Sequence, residues 1–196
     1  MKKALLLQSA LALALATPLM ASAESQLVTG AGSAVARLDF RVTIPRVLFL
    51  AVGTGAGAFA TNTTIDTVTF DYTSNPAAVG TGATAGAVTG NVVPVRVVGN
   101  NGQVTLAAST TGALTNGTAD TIPWSEISAT SNLAALPSPA IPNTGAGAAS
   151  NVTLSSGTKI TDRTANWTFS YANSAVVAPG TYGTTNGRVT YTASMP

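Results

Sequence analysis

The feature that most constrains this chain is a two-residue rhythm of apolar and polar side chains that recurs along much of its length. Late in the sequence, Trp167, Phe169 and Tyr171 alternate with Thr168 and Ser170, the spacing of a strand with one buried face. Early in it, Ala36, Leu38, Phe40, Val42 and Ile44 alternate with Arg37, Asp39, Arg41 and Thr43, which predicts a long amphipathic strand over residues 34–44. Between these, Val68, Phe70 and Tyr72 share one face, as do Val93, Val95 and Val97, and then Val104 and Leu106. Residues 46–52 are nearly apolar throughout, as in a strand covered on both faces or meeting a partner. Beyond the first 23 residues no ten-residue stretch carries a convincing helical pattern. The expected fold is all-β, an antiparallel β-sandwich of roughly eight short strands with long Gly/Ala/Thr loops.

Turn residues divide these strands. Gly99-Asn100-Asn101-Gly102 predicts a hairpin, because Asn and Gly accept the positive φ of tight turns. Pro179-Gly180 predicts another, joining the Trp167 strand to a last strand over 188–194 in a terminal hairpin. Pro94 lacks an N–H and places residues 91–98 at a sheet edge. Residues 74–90 read as a loop of small residues, and 133–142, with Pro137, Pro139 and Pro142, as extended coil.

The first residues have a different character. Lys2 and Lys3 precede an apolar run from Ala4 to Leu15, and Ala21-Ser22-Ala23 supplies small residues before Glu24. This predicts a secretory signal over 1–23, cut between Ala23 and Glu24. The run is broken by Gln8, Ser9 and Pro18 and falls short of the ~20 residues of a spanning helix, so no transmembrane anchor is expected after cleavage. Residues 24–196 then form one β-sandwich domain, with 34–44 as a candidate donor strand.

Removing the leader leaves seven basic residues against seven acidic ones. The basic residues are scattered, so no nucleic-acid partner is expected, and a near-neutral surface opposes self-association only weakly. Cysteine and histidine are both absent. Stability in an exported chain must therefore come from core burial or partner subunits rather than from disulfides. Catalytic triads built on histidine, histidine-based zinc sites and histidine-ligated haem are excluded.

The strongest catalytic pattern left is Ser156-Gly157-Thr158-Lys159, an S-x-x-K spacing that requires one helical turn to bring hydroxyl and amine together. Gly157 and the β-type flanks favour a plain turn. Asp66 and Asp71, five apart on a strand, face opposite sides and form no carboxylate pair. No calcium-loop pattern occurs, and no catalytic residue, metal or cofactor is expected. The four N-x-[ST] sequons, at Asn62, Asn116, Asn151 and Asn166, are what a chain rich in Asn and Thr produces by chance. Trp167, Phe169 and Tyr171 fit a core face better than a sugar-stacking platform.

The end of the chain, with its tryptophan-led strand, Pro179-Gly180-Thr181-Tyr182 turn and strand Arg188 to Ala193, resembles two groups of exported bacterial β-sandwich proteins. One is the WxL-domain surface proteins, although Tyr191-Thr192-Ala193 stands where the W-x-L would be. The other is the fimbrial subunits assembled by strand donation. Gly183 matches their glycine fourteen residues from the C-terminus, whereas Met195 replaces the penultimate tyrosine and no cysteine pair is present. The resemblance implies an exported surface protein of the periplasm, cell surface or extracellular space. Its expected role is that of a non-enzymatic structural or adhesion subunit. Its partners would be copies of itself or another surface component, with Ala36, Leu38, Phe40, Val42 and Ile44 as the assembly strand. The alternative is a soluble extracytoplasmic sandwich that binds carbohydrate or another ligand.

Overall fold

The computed structural model of the chain describes residues 24–55 and 59–196. The expected signal, Ala23 included, lies outside the described residues. The chain divides into two units, the first reaching Ile44 and the second comprising Pro45–Pro196.

In the first unit, residues 24–44 are exposed and carry no strand. The alternation over 34–44 therefore does not correspond to a paired strand among the described residues, a correction to the sequence expectation. Period-2 spacing establishes that one face is apolar, but a ladder also needs a neighbouring edge to bond to.

The described residues of the second unit form twelve strands: β1 (Leu48–Val52), β2 (Thr69–Asp71), β3 (Ala87–Thr89), β4 (Val92–Gly99), β5 (Val104–Thr110), β6 (Leu114–Thr115), β7 (Thr121–Ile122), β8 (Ile127–Ser131), β9 (Gly145–Ala146), β10 (Ser150–Val152), β11 (Thr161–Tyr171) and β12 (Thr190–Ser194). One sheet has the order β1-β4-β11-β8; a second has the order β10-β5-β12, with β9 also paired to β5. β2 with β3 and β6 with β7 form two small ribbons. Every ladder is antiparallel. The all-β antiparallel fold expected from the alternation is thus the fold observed.

The two larger sheets share one core. Val93, Val95 and Val97 of β4 and Ala165, Trp167 and Phe169 of β11 bury the inner face of the first; Val104 and Leu106 of β5 and Val152 of β10 bury that of the second. All nine are at most 7% exposed. Trp167 is fully buried, its ring centroid 5.1 Å from that of Tyr191. Its indole N–H donates to the Leu136 carbonyl at 3.2 Å. The proline-rich segment therefore serves as a wall that both covers the tryptophan and satisfies its one donor. Tyr171, at the end of the same face, is half-buried beside Phe70 and Tyr72.

Three expectations about strand pairing are corrected. The Gly99–Gly102 turn does not close a hairpin, because β4 and β5 belong to different sheets. Val97 and Val104 on either side of it are both fully buried. The chain passes from one layer to the other at Gly99, where an added Cβ would sit 2.7 Å from Val104 Cγ2, so only glycine permits the approach. Likewise β11 and β12 do not pair with each other: Tyr171 lies opposite Ile127 of β8 and Thr190 opposite Ser109 of β5. The last two strands are joined by a crossing between sheets.

Pro94, finally, lies in a central strand, with β1 on one side and β11 on the other. Its carbonyl accepts from Gly53 N–H at 2.9 Å, just past the last ladder pair, Val52 with Val95. In an antiparallel strand a residue's N–H and C=O point to the same side. The missing N–H thus falls where β1 has already ended, and no ladder bond to β11 is lost.

Candidate assembly site

Residues 34–44 expose a continuous apolar row. Leu38 is 76% exposed, Phe40 86%, Val42 82% and Ile44 75%. Local bonds give the first unit some order: Val35 N–H donates to Gln26 Oε1 at 3.0 Å and Arg37 N–H to Glu24 Oε2 at 3.0 Å. The Arg37 guanidinium also pairs with Glu24 at 2.8 Å. This hydrogen-bonded pairing holds the Glu24 carboxyl below its usual range and raises Arg37. None of these contacts covers the apolar row, and an exposed ion pair adds little stability.

In the second unit, β1 and β12 are both terminal strands of their sheets, and they lie across from one another. Leu50 and Val52 of β1 and Tyr191 and Ala193 of β12 pack on the core but remain only partly buried, as does Met195 just beyond β12. Leu48, whose ladder partner is Gly99, is 39% exposed. The central strands bury their core-facing rows, while on this side the core is only partly covered beside the two terminal strands. A free edge presents unpaired N–H and C=O groups that can accept another strand.

The entry to β1 is held firmly. Val47 N–H donates to Asn100 Oδ1 at 2.8 Å, Asn100 Nδ2 donates to the Pro45 carbonyl at 2.8 Å, and Asn100 N–H to the Val47 carbonyl at 3.3 Å. Arg46 Nη2 reaches the Met195 carbonyl at 3.2 Å. Asn100 thus serves the β1 entry as well as the corner between sheets, a role its turn propensity alone did not indicate.

On the outer face of β1, residues 47–50 and 59–62 line a cleft of about 400 Å³. Phe59 meets Phe49 edge-on at 5.4 Å, and the Arg96 guanidinium lies over the Phe59 ring at 5.2 Å. One face of the exposed ring is therefore already occupied by a cation.

The S-x-x-K tetrad and the carboxylates of Asp66, Asp71 and Glu126 have structural roles. Ser156 and Ile160 form an isolated antiparallel bridge around a turn with Gly157 at φ 55°, so Ser156 and Lys159 do not share a helical turn. Asp66 accepts from the Thr54 backbone and hydroxyl. Asp71 accepts from Thr73 and Glu126 from Ser174, and these hydroxyl bonds lower both carboxyls. Among the described residues no three potential metal ligands come together.

One buried polar residue carried no sequence signal beyond composition. Asn173 is 2% exposed at φ 51°. Its side chain accepts from Gly80 N–H at 2.7 Å and donates to the Ala78 and Ala83 carbonyls at 2.6 and 3.1 Å, so it ties the loop before β3 to the end of β11. The Tyr191 hydroxyl is buried with no hydrogen-bond partner, and burial pushes its pKa up to about 12. No family model, curated protein or solved structure matches this chain.

Proposed function

We propose that this protein is an exported, non-enzymatic structural or adhesion subunit of a cell surface, assembling by strand addition through residues 34–44. One observation carries the reading. The core-facing rows of the central strands β4, β5 and β11 are buried, whereas Leu38, Phe40, Val42 and Ile44 are 75–86% exposed. Covering a large apolar side chain is worth about 1.5–3 kcal/mol. Seating four of them would supply on the order of 6–12 kcal/mol before the cost of ordering the segment. Main-chain bonds to a sheet edge would fix the register, and alternate side chains would give specificity. The near-neutral charge after cleavage supports the same reading, since little repulsion opposes contact between copies. The ligand-binding alternative rests on the Phe59 cleft, where the Arg96 guanidinium already covers one face of the ring.

The test compares residues 24–196 with a chain lacking 24–44, by size under native conditions and by negative-stain microscopy. Filaments or a ladder of assemblies are expected from the longer chain. The shorter one should stay folded, capture a peptide of residues 34–44 and fail to polymerise. Polymerisation without the segment, or a uniform monomer with it, would overturn the proposal.

A further inference from the structure

We infer that Asn116-Gly117, at the tip of the β6–β7 ribbon, is a self-modification site, where the Asn116 side-chain amide closes on the Gly117 nitrogen and becomes, through a cyclic imide, aspartate or isoaspartate. Nothing in this chemistry requires copies of the chain to assemble.

The attacking atom is the backbone nitrogen of the residue after the asparagine, and a side chain on that residue obstructs the attack, so glycine is the favourable successor. Three Asn-Gly pairs occur, at 101–102, 116–117 and 186–187. The fold holds two of them by long-range contacts. Asn101 Nδ2 donates to the Pro196 carbonyl at 2.6 Å, and Gly102 N–H donates to the Lys159 carbonyl at 3.1 Å, so amide and nucleophile are tied to different distant partners. Asn186 Oδ1 accepts the Thr111 hydroxyl at 2.9 Å, and Gly187 is packed so closely that an added Cβ would overlap the Gly183 backbone. That side chain is drawn towards another part of the chain, and its peptide has no room to swing.

At Asn116 the hydrogen bonds are local and aim the amide. Thr118 N–H donates to Asn116 Oδ1 at 3.0 Å and the Thr118 hydroxyl to the same oxygen at 2.5 Å. An amide oxygen bonded two residues ahead folds its side chain over the peptide between them, and that peptide contains Gly117 N. Two donors on Oδ1 polarise the carbonyl and stand where the oxyanion of the addition step forms. Asp120 Oδ2 also lies 3.1 Å from the Thr118 hydroxyl, and the nearer acceptor takes its one proton. Gly117 N–H points at Thr115 Oγ1, 3.1 Å away, whose own hydroxyl donates to the Thr118 carbonyl at 3.1 Å. Gly117 is exposed at φ 87°, with no atom within 4 Å of an added Cβ. The strands behind it have two residues each, a ribbon too small to be rigid by itself. The tip can therefore make the small backbone turn that ring closure needs.

In the reaction Gly117 N bonds to Asn116 Cγ and gives its proton to solvent hydroxide. The tetrahedral intermediate then breaks its bond to Nδ2, which takes a proton from water and leaves as ammonia. Water opens the resulting imide at either carbonyl, to aspartate or to isoaspartate. One water is consumed and one ammonia released, with no oxidation or reduction. Either product places a carboxylate beside the Thr118 hydroxyl and Asp120, so like charges meet at the tip. Isoaspartate also lengthens the main chain there by one carbon. Asn116 lies against Gly180, where an added Cβ would sit 3.0 Å from Asn116 Cβ, so the change reaches the loop before β12.

The test ages residues 24–196 in mildly alkaline buffer, folded and in concentrated urea. Samples are digested at acidic pH, and the three Asn-Gly peptides are followed by mass spectrometry, through the mass gain of amide to acid and the separation of the isoaspartyl isomer. In the folded chain Asn116 should convert at least tenfold faster than Asn101 or Asn186, with both isomers formed. In urea the three rates should draw together, because the neighbours that distinguish them are gone. Equal rates in the folded chain, or a lead by Asn101 or Asn186, would overturn the assignment. A tenfold lead by Asn116 that persists in urea would overturn it too, by assigning the preference to local sequence rather than to the fold. Thr118→Val keeps the backbone donor and removes the hydroxyl, and should slow Asn116 at least threefold when folded and not in urea. Thr118→Ser should keep the parent rate. An unslowed Thr118→Val chain would overturn the part given to the hydroxyl.

Discussion

Trp167 offers the most direct measure of how the two sheets are held together. It is fully buried, packs on Tyr191 at 5.1 Å and donates its only N–H to the Leu136 carbonyl. Replacing a buried Trp by Ala removes transfer energy and leaves a cavity, about 3–5 kcal/mol. Leaving the Leu136 carbonyl without its donor adds about 1 kcal/mol or more. Trp167→Ala should therefore cost about 4–6 kcal/mol, a large part of the 5–15 kcal/mol stability typical of a domain. With a urea slope of about 2 kcal/mol/M the midpoint falls by about 2–3 M. Trp167→Phe keeps most of the volume and loses the donor, so a cost of about 1–2 kcal/mol is expected. Trp124, also buried, remains as the fluorescent probe, with circular dichroism as the second signal at matched protein concentration. An Ala variant unfolding within about 0.3 M of the parent, or Ala and Phe variants unfolding together, would refute the assignment of Trp167 to the shared core.

Other outcomes can be checked alongside it. Asn173→Ala should destabilise by about 2–4 kcal/mol, since it removes one buried and two partly buried hydrogen bonds at a positive-φ position. Asn173→Gly should recover only the backbone part, about 1 kcal/mol, and equal costs for the two in thermal melts would contradict this account. Tyr191→Phe should be neutral or stabilising because the hydroxyl it removes has no partner. The Tyr191 phenol titrates at about 12 in the folded protein, above its ordinary value of 10.0. Burial penalises the phenolate, so stability is unaffected below pH 10 and falls by roughly 2–3 kcal/mol as the pH rises from 10 towards 12, a loss that Tyr191→Phe should abolish. In Tyr191→Phe the latest step of the tyrosinate absorbance titration should disappear, and its persistence would assign that step to another tyrosine. Ser156→Ala with Lys159→Met should leave stability within about 0.5 kcal/mol, and a fluorophosphonate probe should label neither parent nor variant. Covalent labelling of Ser156 would reopen catalysis.

What the sequence disclosed and what it concealed divide along a physical line. Alternation identified the faces: Trp167 and Phe169, and Val93, Val95 and Val97, bury the sides their spacing indicated. Alternation carries no information about which strand lies alongside, and there the expectations failed. The turn residues at 99–102 and 179–180 were read as hairpins, yet each connection changes sheets, since β4 and β5 both have inner faces to bury and do so by facing one another. Pro94 pointed to an edge because its lost N–H matters only if a neighbour is there to bond it, and sequence did not show that β1 stops one residue short. β3 lies in a stretch whose composition predicts loop: three residues paired with β2 leave too short a pattern to stand out from their Gly and Ala surroundings. At the candidate assembly site, the row over 34–44 was legible as amphipathic, while its exposure, the half-open side beside β12 and the anchoring of 45–47 by Asn100 emerge only in three dimensions.

The way successive strands trade layers also sets how this chain must reach its fold. Gly99 lies opposite Leu48 on one side and Thr161 on the other, and Ser109 lies opposite Thr190. Each of these pairings closes a loop of many tens of residues, and the two purely local ribbons, β2 with β3 and β6 with β7, are too small to be stable alone. Loop-closure entropy is spent before such distant contacts return anything, which places all-β chains of this kind at the slow end of folding, milliseconds to seconds. During that interval β4, β5 and β11, which carry most of the buried core, have neither ladder nor layer. β12 emerges in synthesis after β5 and β10, and until it docks the second sheet lacks one of its edges. A newly made copy therefore spends its early life as a set of unpaired edges in the company of other copies, and shielding those edges until the fold closes is a kinetic requirement written into the topology.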